Sequence, residues 1–313
     1  MKGRNYAIPG VAVVAAAVVV AAIAAAFTII GPTNVSSGVG SVVRLGRAEA
    51  ASQVGVSSLV LEVGSGAVLH EADADRRIEP ASLTKLMTVL LAVEAVERGR
   101  VSLADVVVVS AHAASMGGSQ VWLGEGERYT LGQLLESVMV ASANDSAVAV
   151  AEHIAGSEVR FVDAMNARAA ALGMKSTHFE NASGLPGGRG EGGGYTTARD
   201  MARLAQEVVK HEQVLKWSNT RSKVFRRSPL FILETTNPLL GTYPGCDGLK
   251  TGHTDAAGYH LIATALRGGV RLVCVVMHAE SDQARAAQCA QLLDRGFELS
   301  RALSQGSGNA AVR

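Results

Sequence analysis

Hydrophobic and polar positions alternate with a period of two near both ends of this chain and fall into helical spacing between them. Ser57 to Glu62 favours a strand, Gly64-Ser65-Gly66 supplies a turn, and Ala67 to His70 returns, which predicts a hairpin. Ser82 to Arg98 is apolar almost all round and stops at Gly99, a natural C-terminal cap residue. Thr130 is placed to cap a helix carrying Leu131, Leu134, Leu135 and Val138 on one face. Ser157 is placed to cap another, with Val159, Val162, Met165, Ala169 and Leu172 at helical spacing and Gly173 beyond. Thr197-Ala198-Arg199-Asp200 has the look of a capping box that opens a helix through Met201 to Val209. Strand character returns in Tyr259 to Leu266 and Val270 to His278, which flank Arg267-Gly268-Gly269. Ser281 then caps a final helix toward Leu293 that Gly296 is expected to end. A sheet whose strands come from both chain ends, with helices inserted between, predicts an α+β fold and not a βαβ wind.

Ahead of this pattern lies a different one. Lys2 and Arg4 precede an uncharged apolar run from Val11 to Ile30, which Gly31-Pro32 breaks. A basic flank followed by an apolar stretch is an export signal. At about 20 residues the run is also just long enough to span a bilayer. Ala24-Ala25-Ala26 and Ala48-Glu49-Ala50 both fit a small-x-small cleavage pattern, so a cleaved signal and a retained anchor both stay open. Either places the rest of the chain outside the cytoplasm, in the cell envelope. The expected organisation is a signal or anchor over 1–30, a Gly/Ser/Val-rich linker over 31–50, one folded domain over 51–300 and a flexible tail over 301–313.

Composition removes several function classes. A net charge of +1 over 313 residues leaves no electrostatic footprint for nucleic acid. The eight His and three Cys make no metal-spaced pair, so no metal site is expected. Cys246, Cys274 and Cys289 are odd in number and suggest no disulfide framework. Cys274 sits in the apolar run Val273 to Met277 and reads as a buried small hydrophobe.

Candidate chemistry comes from three short motifs in a fixed order: Ser82-Leu83-Thr84-Lys85, Ser142-Ala143-Asn144 and Lys250-Thr251-Gly252. Ser82 opens a helix and Lys85 follows three residues on, so both side chains leave the same face of its first turn. A hydroxyl is a weak nucleophile until a neighbouring base takes its proton. Burial among Leu83, Leu86, Met87, Val89, Leu90 and Leu91 would keep Lys85 neutral enough to be that base. Ser142 and Asn144 fall in a polar insert, Ala141 to Asp145, between two apolar helices. There Ser142 could relay a proton and Asn144 could grip a substrate amide, although Asn144-Asp145-Ser146 is equally good helix-capping chemistry. Lys250 offers a positive charge to a carboxylate, Thr251 a hydroxyl, and Gly252 close backbone approach. The backbone N–H groups of His253 and Ser82 would then form an oxyanion hole.

Read together as S-x-x-K, S-x-N and K-T-G, the motifs resemble those of the D-alanyl-D-alanine carboxypeptidases, low-molecular-mass penicillin-binding proteins of the S11 family of serine peptidases. The resemblance covers roughly Val54 to Phe297. It extends to Glu79-Pro80-Ala81, Thr177-His178-Phe179, Ser183-Gly184-Leu185-Pro186, Asp247-Gly248-Leu249 and Thr254-Asp255-Ala256-Ala257-Gly258-Tyr259. It implies a β-lactamase/transpeptidase-like fold, no cofactor, and a penicillin-sensitive enzyme that trims the terminal D-Ala from peptidoglycan pentapeptide stems. It implies Ser82 as nucleophile, Lys85 as proton acceptor, Ser142 as relay and Lys250 as carboxylate binder. Arg285 falls roughly where the family carries a further carboxylate-binding Arg.

The chain departs from that family in two places. Gly187 to Gly194 is unusually Gly-rich, and after Phe297 only a short Ser/Gly/Ala tail follows. Many relatives add a β-rich domain and an amphipathic helix there, so any tether is expected to be N-terminal. A class A β-lactamase shares fold and motifs, but it uses an extra Glu in an E-x-x-L-N stretch, and no Glu from Glu152 to Glu234 begins one. A silent wall-binding protein would have no use for a Ser82–Lys85 pair. D,D-endopeptidase action on cross-links uses the same constellation and remains the close alternative.

Overall fold

The computed structural model describes residues 55–187 and 194–310. The apolar run Val11 to Ile30, the linker and most of the Gly-rich insert therefore lie outside the described residues. A five-stranded antiparallel sheet is built from β1 (Ser57–Glu62), β2 (Val68–Ala72), β7 (Cys246–Thr254), β8 (Gly258–Arg267) and β9 (Val270–Ala279), in the order β2-β1-β9-β8-β7. The two ends of the chain meet where β1 pairs β9, with Ser57 opposite Met277 and Glu62 opposite Leu272. This bears out the α+β reading and both expected hairpins.

Helices fill the middle of the chain. A single 3-10 turn, Ala81–Thr84, leads into α1 (Lys85–Glu97). After it come β3 (Val106–Val108), α2 (Ala111–Ala114), β4 (Arg128–Thr130), α3 (Leu131–Val140), α4 (Asn144–Ala155), α5 (Glu158–Ala171), α6 (Ala198–Val208) and α7 (Glu212–Ser218). A further hairpin, β5 (Ser222–Arg227) with β6 (Leu230–Glu234), stands between α7 and β7. The caps are those the pattern predicts. Thr130 and Gln133 form a full capping box, Ser157 accepts from Arg160 N, and Thr197 accepts from Asp200 N.

Both sheet faces are covered, and strand alternation divides the core in two. Val273, Val275 and Met277 of β9 face the helical region with Leu86, Met87, Leu90, Met201 and Leu204. Cys274 and Val276 face the other way, against Cys289, Leu293 and Phe297 of the last helix, α8 (Asp282–Ala310). Cys274 is thus the buried apolar side chain expected of it, and the three cysteines are free.

Three expectations change. Gly296 does not end α8: a Cβ there would lie 2.9 Å from Leu272 Cδ1 and 3.0 Å from Val60 Cγ1, so this glycine lets the helix approach the sheet closely. The helix runs on to Ala310, so 301–310, expected as tail, is helical. Val159, placed on the apolar face of α5 by its spacing, is exposed, and Phe161 enters the core instead, beside Met165 and Ala169, which are buried as expected. Among the described residues, no helix is long and apolar enough to cross a membrane.

Candidate active site

The three motifs meet where the edge strand β7 passes the start of α1. Ser82 lies within the 3-10 turn and Lys85 closes it. A 3-10 helix has three residues per turn, so positions i and i+3 eclipse. Lys85 Nζ is accordingly 2.8 Å from Ser82 Oγ. The helix that was expected to open at Ser82 opens as an α-helix only at Lys85, and that one tighter turn is what aligns the pair.

Lys85 is fully buried and its Nζ has two further neighbours, Asn144 Oδ1 at 2.6 Å and Ser183 O at 2.6 Å. Both are acceptors, and each takes one N–H. With the amine neutral, its two N–H bonds serve these acceptors and its lone pair is left for the Ser82 hydroxyl. Burial holds the Lys85 ammonium well below its ordinary range, and the nearby charge of Lys250 lowers it further against an opposing pull from Asp145.

Asn144 is the first residue of α4, not part of a loop as its setting suggested. Its Nδ2 donates to Gly117 O at 2.7 Å, which fixes the amide with Oδ1 toward Lys85. Ser142 precedes it with φ of 61°, a left-handed conformation uncommon for a residue with a side chain. Its hydroxyl accepts from Lys250 Nζ at 2.9 Å. Lys250 is 1% exposed and also donates to Thr251 O. Burial, then the positive charge of Arg285, lower it to about 7. Two buried amines thus flank the S-x-N segment, one at the nucleophile and one at Ser142.

Thr251 Oγ1 meets Thr236 Oγ1 at 2.5 Å. A Cβ on Gly252 would come within 3.3 Å of Leu83 N and of Pro80 O, so this glycine seats β7 against the nucleophile turn. That is a different use from the substrate approach its motif suggested. His253 follows, its ring 4.0 Å from that of Tyr259. Arg285 is buried; its Nη1 donates to Gly252 O and His260 O, and its Nε donates to Asp282. It therefore braces the strand beside Lys250 and supplies charge there, with its fork already engaged.

Several residues that hold the site were not picked out by motif reading. Asp145 is fully buried and accepts from Val121 N, Leu123 N and Ser146 N. Asn181 Oδ1 accepts from Ser183 N and Gly184 N, shaping the turn that presents Ser183 O to Lys85. Gly184, at φ of 79°, has no room for a Cβ, which would fall 1.9 Å from Ala81 O. His260 accepts from His278 N at Nδ1, so its Nε2–H donates to Glu79 O, and burial pushes this neutral ring down to about 4. The Ser183-Gly184 pair was visible as part of the family resemblance. Asp145 was visible only as the last residue of the polar insert Ala141 to Asp145.

Comparison with known proteins agrees with this geometry. The profile of the peptidase family described as D-alanyl-D-alanine carboxypeptidase matches residues 46–281. The carboxypeptidase DacF of Bacillus subtilis is 43% identical over 243 residues, covering 77% of this chain and 61% of its own length. DacA of Escherichia coli K12 is 36% identical, covering 77% of this chain and 60% of its own. The chain thus spans about three fifths of those two relatives. Among solved structures, a D-alanyl-D-alanine carboxypeptidase of Francisella tularensis superposes with a TM-score of 0.74 at 29% identity, covering 83% of this chain and 73% of that one. Penicillin-binding protein D2 of Listeria monocytogenes, in an ampicillin-bound form, superposes at 0.70 with 32% identity, covering 77% and 96%. Motifs, fold and matched span converge, and the chain belongs to the D-alanyl-D-alanine carboxypeptidase (S11) family of peptidases.

Proposed function

We propose that this chain is a serine D-alanyl-D-alanine carboxypeptidase that removes the terminal D-Ala from peptidoglycan pentapeptide stems, and that β-lactams acylate the same serine. The observation that carries the reading is the coordination of Lys85 Nζ. Two fixed acceptors and one hydroxyl leave a neutral amine only one productive use, taking the Ser82 proton.

The steps follow from the placement of the side chains. The free carboxylate of the stem docks at Lys250 and Thr251, and its charge favours the protonated form of Lys250. Asn144 and the edge of β7 hold the peptide amides. Ser82 Oγ attacks the carbonyl between the two D-Ala residues as its proton passes to Lys85. The backbone N–H groups of Ser82 and His253 receive the developing oxyanion. The proton held by Lys85 goes on, through the Ser142 hydroxyl, to the leaving D-Ala amine, which leaves Lys85 neutral again. Water then attacks the acyl-enzyme as Lys85 takes its proton, and Lys85 returns that proton to Ser82 Oγ as the acyl bond breaks. Export or anchoring by Val11 to Ile30 would put this chemistry in the cell envelope, where the stems are.

The test is D-Ala release from a synthetic pentapeptide ending in D-Ala-D-Ala. The full chain should release D-Ala and Ser82→Ala should not. Release by Ser82→Ala at the parent rate would refute the assignment, and cleavage of cross-linked stem dimers without D-Ala release would make the chain an endopeptidase.

A further inference from the structure

The segment that carries Asn144's partners also carries the most conspicuous side chain on the surface. Gly117 O receives Asn144 Nδ2, and Ser119 O receives Asn144 N. Two and four residues further on, Val121 N and Leu123 N converge on one oxygen of buried Asp145, at 3.1 and 3.0 Å. Between them stands Trp122, with φ of 60° and 64% of its surface exposed. From the far side Arg226 Nη1 donates to both Val121 O and Trp122 O, at 2.8 and 3.0 Å.

The backbone of this turn has a ready explanation. Successive N–H groups around a left-handed residue form a concave nest for an anion, and here the anion is Asp145. The nest accounts for the positive φ, but it does not account for the indole. Glycine, or asparagine, adopts this conformation at less cost than an aromatic residue. Val121 and Leu123 are buried on either side, so the exposed indole contributes little to the core. A bulky residue held in strained backbone by two charged side chains, and turned outward, points to a use for that side chain.

We infer that Trp122 is a substrate-contacting residue on the rim of the active site, where its indole face receives the sugar ring to which the stem peptide is attached. The inference rests on the proposed carboxypeptidase reading. Its motive is position and chemistry together. The N–H groups on either side of Trp122, those of Val121 and Leu123, donate to Asp145, the residue next to Asn144, and Asn144 touches Lys85. The D-Ala terminus occupies the buried end of the site, so the saccharide end of the same substrate extends outward over the rim. A rigid, exposed, flat surface with a polar N–H suits a sugar face, which is amphipathic itself.

Two substrates separate this contact from the chemistry: a free pentapeptide ending in D-Ala-D-Ala, and the same pentapeptide on an N-acetylglucosaminyl-N-acetylmuramyl disaccharide. With the full chain, Trp122→Ala should lower kcat/KM for the disaccharide substrate roughly tenfold, as truncation of an aromatic anchor does. The loss should appear in KM, with less than a twofold change on the free pentapeptide, and Trp122→Phe should restore most of it. The acylation rate by penicillin should stay at the parent value in both variants, which reports an intact fold and nucleophile. Equal losses on the two substrates, or no loss on the disaccharide, would overturn the inference. An independent reading comes from fluorescence, because the chain has two Trp and Trp217 is only 5% exposed. Iodide quenching therefore reports Trp122, and the disaccharide without peptide should protect it. That arm holds even if D-Ala release fails, so failure of the carboxypeptidase reading and failure of the sugar contact are distinguishable. Unchanged quenching at saturating disaccharide would count against the contact.

Discussion

Replacing Asn144 by Asp probes the base directly, because the two residues have nearly the same shape and differ by one charge. Asn144 Oδ1 is 2.6 Å from Lys85 Nζ. A full negative charge at that distance is worth about 6 kcal/mol at an effective dielectric constant of about 20. Converted at 1.36 kcal/mol per unit, this ceiling is about 4 to 5 pH units. Observed shifts from a close opposite charge are smaller, roughly 1 to 3 units. The sign is unambiguous: a carboxylate favours the ammonium form, raises Lys85 from its depressed value and removes the neutral base at neutral pH. The assay is the rate of acylation by a fluorescent penicillin as a function of pH, for parent, Asn144→Asp and Asn144→Ala. The acid limb for Asn144→Asp should move to higher pH by roughly 1 to 3 units, with recovery of rate above it. Asn144→Ala removes the acceptor without adding charge and should lower the rate with no upward displacement. Both variants lose the hydrogen bond to Gly117 O, so damage to the loop cannot by itself distinguish them. An Asn144→Asp profile with an unmoved acid limb would refute Lys85 as the proton acceptor.

Other outcomes follow from the same contacts. Lys85→Arg keeps the charge but cannot deprotonate, so D-Ala release and penicillin acylation should both be lost; near-normal turnover would contradict the role. Lys250→Ala should lower kcat/KM for a free D-Ala-D-Ala terminus by roughly ten- to hundredfold, the scale of a charge-assisted hydrogen bond. An amide-capped analogue should lose much less, and equal losses would remove carboxylate recognition from Lys250. Gly296→Ala pushes a methyl into Leu272 and Val60 and should destabilise the fold by about 1–3 kcal/mol in urea unfolding, with activity retained by the folded fraction. An unchanged midpoint would mean that α8 and the sheet yield at no cost.

How far the sequence can be read depends on whether a signal is local. Strand alternation and Gly-rich turns at both ends were enough to predict the hairpins, and the mixed fold followed from their order. Caps at Thr130, Ser157 and Thr197 were legible because each is a side-chain to backbone bond within four residues. Gly296 misled because a glycine after an amphipathic run looks the same whether it caps a helix or lets it approach a sheet. Only the neighbours Leu272 and Val60, distant in sequence, decide. The β5–β6 hairpin was hidden by charge, since Lys223, Arg226 and Arg227 blur the alternation of Ser222 to Arg227. In the site, Ser82 and Lys85 form a local pair and could be placed from spacing. Asp145 and His260 act through partners tens of residues or more away, and no local pattern marks their roles; Ser183 was marked only by the family resemblance.

The central claim is that Ser82 is the acylated nucleophile, and peptide mapping after exposure to benzylpenicillin tests it most directly. Trypsin should release Ile78 to Lys85, bounded by Arg77 and Lys85, as the peptide that carries Ser82. The account predicts one penicilloyl adduct on the full chain, located on Ser82 within that peptide, and none on Ser82→Ala. An adduct on any other residue, or an adduct that survives in Ser82→Ala, would contradict it.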